Sequence, residues 1–180
     1  PFKRAFEQGF ALVLGTAGDD EEDRELAARA RALAGEWAYR ANGRALQLTD
    51  AEFLQRGHDG NLILIGNADT NAAWDQLIGP DAPLRVERGG VRLGPNLHTG
   101  DDLAVLAVLP RRGDAEHLVG VVGSSGPVGT RLHAVSAPFT SGVGIPDFLI
   151  FDGRVLQDGD GGVRAAGFWD HHWRLPSDGR

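Results

Sequence analysis

The stretch Asn61-Leu62-Ile63-Leu64-Ile65-Gly66-Asn67-Ala68-Asp69-Thr70 decides the fold class of this 180-residue chain. After Asn61 it has four successive apolar residues, Leu62 to Ile65, which is typical of a parallel strand covered on both faces. A glycine and a polar turn follow, and then apolar residues recur at helical spacing at Ala73, Trp74, Leu77 and Ile78. The stretch therefore predicts a β-strand leading into a helix, the unit from which α/β sheets are built.

The residues before this stretch repeat the same unit twice. Residues 10–14 form a short apolar run, and a long helix follows with Gly43 placed to end it. Residues 45–48 then predict a second strand, and Thr49 with Glu52 has the spacing of a capping box for a short helix. Right-handed connections make such a β-α-β-α-β-α half a mostly parallel, layered sheet.

The second half of the chain is richer in strands. Residues 84–87 and 91–93 have the spacing of a hairpin, and residues 103–109 and 118–122 are strong apolar strands around a short turn. A helix is expected through Leu132 and Val135, and residues 148–151 and 163–166 predict the last strands. The predicted fold class is α/β, a three-layer sandwich with a partly antiparallel C-terminal half. It forms one domain over residues 1–180, with 168–180 as a tail.

Composition excludes several classes of function. The absence of cysteine rules out disulfides, zinc-thiolate sites and thiol nucleophiles, and the net charge of −7 opposes a nucleic-acid partner. No apolar run approaches the roughly 20 residues that would span a bilayer, so no membrane partner is predicted. Because the chain has no methionine and passes from Pro1 almost directly into a strand, we expect it to be a fragment with sequence upstream.

An acidic stretch at residues 19–23 precedes the long helix. It lacks the alternating oxygen ligands and central glycine of a calcium loop. Carboxylates are favourable at a helix N-terminus because they complement the helix dipole. We therefore interpret this stretch as the start of the helix.

Polar residues follow the central strand at the place where open α/β sheets bind ligands. Capping of the next helix by Asp69 or Thr70 is the competing explanation, but capping needs only one such residue. The sequence therefore predicts a site for a small polar ligand, formed in part by Asn67, Asp69, Thr70 and Asn71.

A glycine-rich turn at residues 120–129 is the second part of that predicted site. A strand, a glycine turn and a helix start can hold a phosphate on backbone N–H groups, although a structural tight turn explains the glycines equally well. The dinucleotide fingerprint and the Walker lysine are both missing, so no cofactor is predicted. The turn's candidate ligand residues, facing Asn67 across a crevice, are Gly123, Ser124, Ser125 and Gly126.

Two further patterns resemble active sites without matching them. A hydrolase nucleophile elbow needs G-x-S-x-G, but Ser124 has Val122 and Ser125 has Pro127 at a glycine position. Asp170-His171-His172 resembles a phosphoesterase metal motif, yet adjacent histidines point in different directions. We expect instead an aromatic latch of Phe168, Trp169 and Trp173, and no metal or catalytic residue is assigned. The isolated histidines are expected at the surface, and they are His58, His98, His117 and His133.

Several stretches together resemble a known protein family. They are residues 1–6, Val13-Leu14-Gly15-Thr16-Ala17-Gly18, Asn42-Gly43, Gly66-Asn67-Ala68-Asp69-Thr70-Asn71-Ala72-Ala73-Trp74 and Ser141-Gly142-Val143-Gly144-Ile145-Pro146-Asp147. In this order and spacing they resemble the C-terminal region of large bacterial proteins, common in planctomycetes, of the prolyl-oligopeptidase-like or esterase-like α/β-hydrolases. The resemblance covers nearly the whole chain but not the hydrolase domain, whose serine elbow would lie upstream.

The resemblance implies an exported parent that hydrolyses esters or peptides. This chain would then be a non-catalytic accessory domain that packs on or tethers the upstream hydrolase domain of the same chain. Two alternatives remain open at this point. One is a module that binds a small polar ligand or a carbohydrate, and the other is an independent hydrolase with an unrecognised site.

Overall fold

Ten strands and five helices make up the computed structural model, which describes residues 1–176. The strands are β1 (Phe10–Leu14), β2 (Leu46–Thr49), β3 (Asn61–Ile65), β4 (Leu84–Glu87), β5 (Gly90–Leu93), β6 (Asn96–Thr99), β7 (Ala104–Arg111), β8 (Asp114–Ser124), β9 (Phe148–Phe151) and β10 (Val163–Gly167). The helices are α1 (Asp20–Ala41), α2 (Asp50–Arg56), α3 (Trp74–Leu77), α4 (Pro127–Leu132) and α5 (Val155–Asp158). Three short 3-10 helices span Phe2–Phe6, His133–Val135 and Gly159–Gly162.

Seven of the strands form one mixed sheet in the order β10-β9-β7-β8-β3-β1-β2. Strands β8, β3, β1 and β2 are parallel to one another. Strand β7 runs antiparallel to β8, β9 runs antiparallel to β7, and β10 runs antiparallel to β9. The predicted parallel N-terminal half and antiparallel C-terminal half are thus both present. The α/β class is confirmed.

The predicted hairpin of β4 and β5 is present, but it belongs to a separate antiparallel sheet with β6. Strand β6 was not predicted, because Leu97 is the only apolar residue in Asn96–Thr99 and its side chain is exposed. Helix α5 and the 3-10 helix Gly159–Gly162 after it were also not predicted, since neither carries a buried apolar side chain. Helix α3 is only one turn long.

Strand β3 lies inside the main sheet and is buried along its whole length, as the apolar run predicted. Leu62 and Leu64 pack on one side against α2, α3 and the small sheet, through Phe53, Trp74, Leu77, Leu84 and Val86. Ile63 and Ile65 pack on the other side against α1 and the first 3-10 helix, through Phe2, Phe6, Leu26, Ala30 and Leu33. Two apolar cores therefore hold the sheet between them.

Helix α1 begins and ends on polar residues of its own sequence. The Asp19 carboxylate accepts bonds from the backbone N–H groups of Glu21 and Glu22, and the Glu22 side chain accepts the N–H of Asp19 in return. This capping box confirms the interpretation of the acidic stretch as a helix start. At the other end Asn42, and not the predicted Gly43, adopts the left-handed conformation, which asparagine tolerates.

The aromatic latch near the C-terminus is present only in part. Trp169 is buried against Phe148 and donates its indole N–H to the Val108 carbonyl at 2.7 Å, and Trp173 is half-buried beside both cores. Phe168 is 57% exposed, so its predicted packing is wrong. Neighbouring side chains of an extended segment point in opposite directions, and Trp169 takes the inward one. Of the predicted tail, residues 177–180 lie outside the described residues.

Candidate functional site

Buried side chains join the loops that leave the parallel strands at their carboxyl ends. Asn67 lies after β3 and donates its amide N–H to the Ser124 carbonyl at 2.9 Å, which connects it to the end of β8. Its amide oxygen accepts the backbone N–H groups of Asp69 and Thr70. The two predicted halves of the site are therefore adjacent. The polar atoms of Asn67 are directed at the protein itself.

Asn71 joins β3 to its other neighbour, β1, as Asn67 joins β3 to β8. Its side-chain amide donates to the carbonyls of Val13 at 3.0 Å and Ile65 at 3.1 Å, the adjacent ends of β1 and β3. Its oxygen accepts the Ala73 N–H and so starts the turn before α3. Asn71 is completely buried and its side-chain polar atoms are hydrogen-bonded, so it holds the ends of β1 and β3 together.

Asp50 is the residue of this edge that sequence reasoning missed. It is 1% exposed, and its carboxylate accepts from the Thr16 hydroxyl at 2.6 Å and from the Ala72 backbone N–H at 2.7 Å. Longer or local bonds come from the N–H groups of Thr16 and Ala51. A signal existed, because Asp50 follows β2 just as Asn67 follows β3, at the end of a parallel strand.

The turn between β4 and β5 lies across this edge. The Arg88 guanidinium donates two bonds of 2.7 Å to the carboxylate of Glu22, a largely buried residue of α1. The Arg88 N–H donates to Asp69 at 2.8 Å, and the Gly89 N–H donates to the Ser125 carbonyl at 2.9 Å. These bonds lower the pKa of Glu22, chiefly through Arg88, and hold the hairpin over the strand ends.

Little space is left at the carboxyl edge of the parallel strands. The cavity between α1, the start of α4 and the strand ends measures about 10 Å³, which admits about one water molecule. Its walls include Glu22, Asn67, Thr70, Ser124 and Gly126. The predicted ligand residues therefore meet, but as a closed and internally bonded cluster. A ligand at this edge stays a prediction that requires the hairpin to move.

The glycine-rich turn serves close packing. A side chain at Gly129 would place its first carbon 2.1 Å from the Leu103 carbonyl oxygen, and one at Gly126 would lie 2.6 Å from that of Asp101. These positions require glycine because the backbone just before β7 passes directly over them. The structure thus accounts for both glycines without a bound phosphate.

The two serines of this turn are engaged by neighbouring residues. The Ser124 hydroxyl bonds the Thr130 hydroxyl at 2.6 Å, and the Ser125 hydroxyl accepts the Leu103 N–H at 3.0 Å. Both side chains are buried. The histidine that follows, His133, bonds the Gly123 carbonyl at 2.8 Å and not a serine. The arrangement does not activate either hydroxyl as a nucleophile.

His133 is 1% exposed, so its predicted surface position is wrong. The 3-10 turn after α4 directs its ring inward, edge-on to Phe151 at 6.1 Å. Burial, aided by the nearby Arg29 charge, lowers its pKa to about 3, and its Nδ1 has no hydrogen-bond partner within residues 1–176. The other three predicted surface histidines, His58, His98 and His117, are partly exposed.

Asp170, His171 and His172 form a turn. The Asp170 carboxylate accepts the backbone N–H groups of His172 at 2.8 Å and Arg174 at 2.9 Å, and the two histidine rings lie against each other with centroids 3.8 Å apart. The described part of the chain contains no group of three or more histidine or carboxylate side chains placed to hold a metal ion. The carboxylate acts here as a cap for the turn.

The comparisons with known proteins add no family. No family model matches the chain, and no curated protein matches it. None of the helices within residues 1–176 has the length and apolarity needed to cross a membrane.

Proposed function

We propose that this chain is a non-catalytic accessory domain of a larger bacterial serine hydrolase, which it packs on or tethers. One observation carries the non-catalytic part of the proposal. The carboxyl edge of the parallel strands, where this class of sheet binds ligands, is filled by the chain's own bonded side chains. The remaining cavity of about 10 Å³ is too small for an ester or a peptide.

The resembling stretches are the ones that build this closed edge. Gly15 and Thr16 come from one of them, and a side chain at Gly15 would approach the Thr70 carbonyl oxygen to 2.4 Å. Asn67, Asn71 and Ala72 come from another, and they bond the ends of β1, β3 and β8. In this chain the resembling motifs thus make structural contacts, which is what a scaffold common to the accessory region of the hydrolases would require. By the same resemblance, the parent is proposed to be exported.

The layering belongs to the same proposal. Helix α1 and the helix Phe2–Phe6 would form the first layer, the main sheet the second, and α2, α3 and the small sheet the third. The two apolar cores support this arrangement because each lies on a different face of the main sheet. Placing the small sheet in the outer layer explains how its β4–β5 turn reaches the strand ends.

The test uses the full-length parent protein and a fluorophosphonate probe, which labels activated serines. We expect one labelled serine, upstream of this chain, and unchanged labelling in the Ser124→Ala and Ser125→Ala variants. A label on Ser124 or Ser125 would overturn the non-catalytic assignment. A parent without any labelled serine would overturn the hydrolase connection.

The isolated chain provides the complementary measurement. It is expected to show no turnover of p-nitrophenyl esters above the rate of buffer alone, because neither buried serine has a general base. Turnover that persists in the double Ser124→Ala, Ser125→Ala variant would indicate the unrecognised hydrolase site. That result would also reject the proposal.

A further inference from the structure

A groove between α1 and α4 is open where the carboxyl edge is closed. Its volume is about 330 Å³, and small side chains of α1, Ala28 and Ala32, form its floor together with Ala134. Its polar lining consists of Arg29, Thr130, Arg131 and Glu25. The groove can hold a small molecule or a protruding side chain, since small residues keep the two helices from filling it.

Arg29 is the unusual member of this lining. It is 7% exposed, and its Nε atom is out of contact with water and has no hydrogen-bond partner within the described residues. The nearest carboxylate oxygen, Oε1 of Glu36, is 3.5 Å from Nη1. Charge-assisted bonds are normally about 2.7–2.9 Å long, so this contact is weak. A buried guanidinium with a single distant partner is costly to the fold.

The other charged groups nearby do not satisfy Arg29. Glu25 stands four residues earlier on the same helix but accepts from Arg131 at 3.0 Å, and Glu21 lies 3.7 Å from the same guanidinium. His133 is neutral because burial lowers its pKa to about 3, so it adds no second positive charge. The groove is therefore lined by one buried cation, Arg29, whose guanidinium has no close carboxylate partner within residues 1–176.

We propose that the α1–α4 groove binds a carboxylate group, with Arg29 as its principal hydrogen-bond donor. The planar guanidinium fork matches a carboxylate in geometry. A single negative charge suits the groove better than the double charge of a phosphate, because Glu25 in its lining and Glu36 beside Arg29 repel anions. The inference rests on the groove alone and does not depend on the proposed hydrolase connection.

The first experiment titrates the isolated chain with sodium acetate against sodium chloride at constant ionic strength. NMR follows the side-chain Nε–H signal of Arg29, which a new acceptor moves downfield. We expect a saturable shift in acetate and none in chloride, together with a rise in the melting temperature. An Nε–H signal that acetate does not move would overturn the proposal, as would prior occupation of this donor by Glu25.

Matched variants separate binding at Arg29 from general salt effects. Arg29→Met keeps the length of the side chain and is expected to weaken acetate binding about tenfold or more. Arg31→Met, at an exposed position on the same helix, is expected to leave binding unchanged, and Arg29→Gln serves if the methionine variant fails to fold. Glu25→Gln is expected to tighten binding because it removes a repelling charge.

The second arm replaces acetate by a short peptide with one glutamate, compared with the same peptide containing glutamine. Tighter binding of the glutamate peptide than of acetate would identify a protein carboxylate as the natural occupant. Equal or weaker binding would identify a small carboxylate. Acetate binding that survives intact in Arg29→Met would contradict the site altogether.

Discussion

The carboxyl edge of the parallel strands and the α1–α4 groove contrast in how their buried polar groups are satisfied. At the edge, Asp50, Asn67 and Asn71 each hold two or more hydrogen bonds from neighbouring loops, and the space is about 10 Å³. At the groove of about 330 Å³, the Nε of Arg29 has no hydrogen-bond partner within residues 1–176, and neither has the Nδ1 of the buried His133 on the turn after α4.

The contrast shows that polar side chains at a favoured position do not by themselves make a binding site. Asparagine and aspartate can join loops as well as they can hold a ligand, and the choice depends on whether their hydrogen bonds are already used. Where every bond is used, the region stabilises the fold. Where a buried charge lacks a partner, the fold gives up stability, which a ligand can restore.

Removal of Asp50 is expected to have the largest effect on the closed region. Asp50→Ala leaves the Thr16 and Ala72 donors buried without an acceptor, so the free energy of unfolding should fall by about 4 kcal/mol. Urea denaturation measures this change. Asp81→Ala, at an exposed position, is the control and should change it by less than about 0.5 kcal/mol. Similar values for both variants would mean that the edge is not held together by Asp50.

His133, on the 3-10 turn after α4, should make the free energy of unfolding depend on pH. Its pKa of about 3 lies below the ordinary value of 6.5, so between these values the unfolded chain takes up a proton that the folded chain does not. Its contribution to stability is therefore lost as the pH falls from 6.5 towards 3, by about 3 kcal/mol at pH 4. Denaturation of wild type and His133→Gln across this range isolates the effect, and parallel pH profiles would contradict it.

Arg88 should matter more than another arginine of the same hairpin. Arg88→Met leaves the largely buried Glu22 carboxylate unpaired and should cost about 1–2 kcal/mol at neutral pH. Because Arg88 lowers the pKa of Glu22 below 4.5, its contribution is present above that pH and is lost as the pH falls through the lowered value. Arg85→Met removes pairs to the exposed carboxylates of Asp75 and Glu87, and should cost less than about 0.5 kcal/mol. Equal costs at neutral pH would remove the distinction.

Arg29→Met should give the smallest change and the opposite sign. Replacing a buried, weakly paired charge by an apolar side chain of similar length is expected to raise the free energy of unfolding by about 1 kcal/mol in chloride buffer. The same variant should raise the pKa of His133, since the Arg29 charge contributes to lowering it. Thermal unfolding and NMR titration of the imidazole measure the two effects. A destabilised variant would show that Arg29 is already satisfied.

Periodicity predicted the elements that bury apolar residues and missed those that do not. The run at β3, the spacing along α1, the acidic start of α1 and the capping box at Thr49 each depend on residues close in sequence. Strand β6 and helix α5 bury no large side chain and left no pattern to detect.

Sequence patterns likewise did not predict those contacts of the candidate site that join residues far apart in the sequence. The position of Asn67 and Asn71 at a strand end followed from the order of elements. The bond from Arg88 to Glu22 joins residues 66 positions apart in the sequence. An arginine or a glutamate alone does not show whether it forms such a bond or is a solvated surface charge. The burial of His133 likewise depends on where a 3-10 turn after α4 directs its ring.

Native-state hydrogen exchange of the isolated chain shows whether the carboxyl edge is a closed structural cluster. The measured quantity is the exchange rate of backbone N–H groups at this edge. The backbone N–H groups of Asn67, Ala72 and Leu103 donate only to buried side-chain oxygens, those of Thr70, Asp50 and Ser125. These three N–H groups are expected to exchange nearly as slowly as the N–H of Ile63 in the central strand. Exchange as fast as that of Gly144 in the exposed loop would show that the edge opens readily, and would return it to the list of candidate ligand sites.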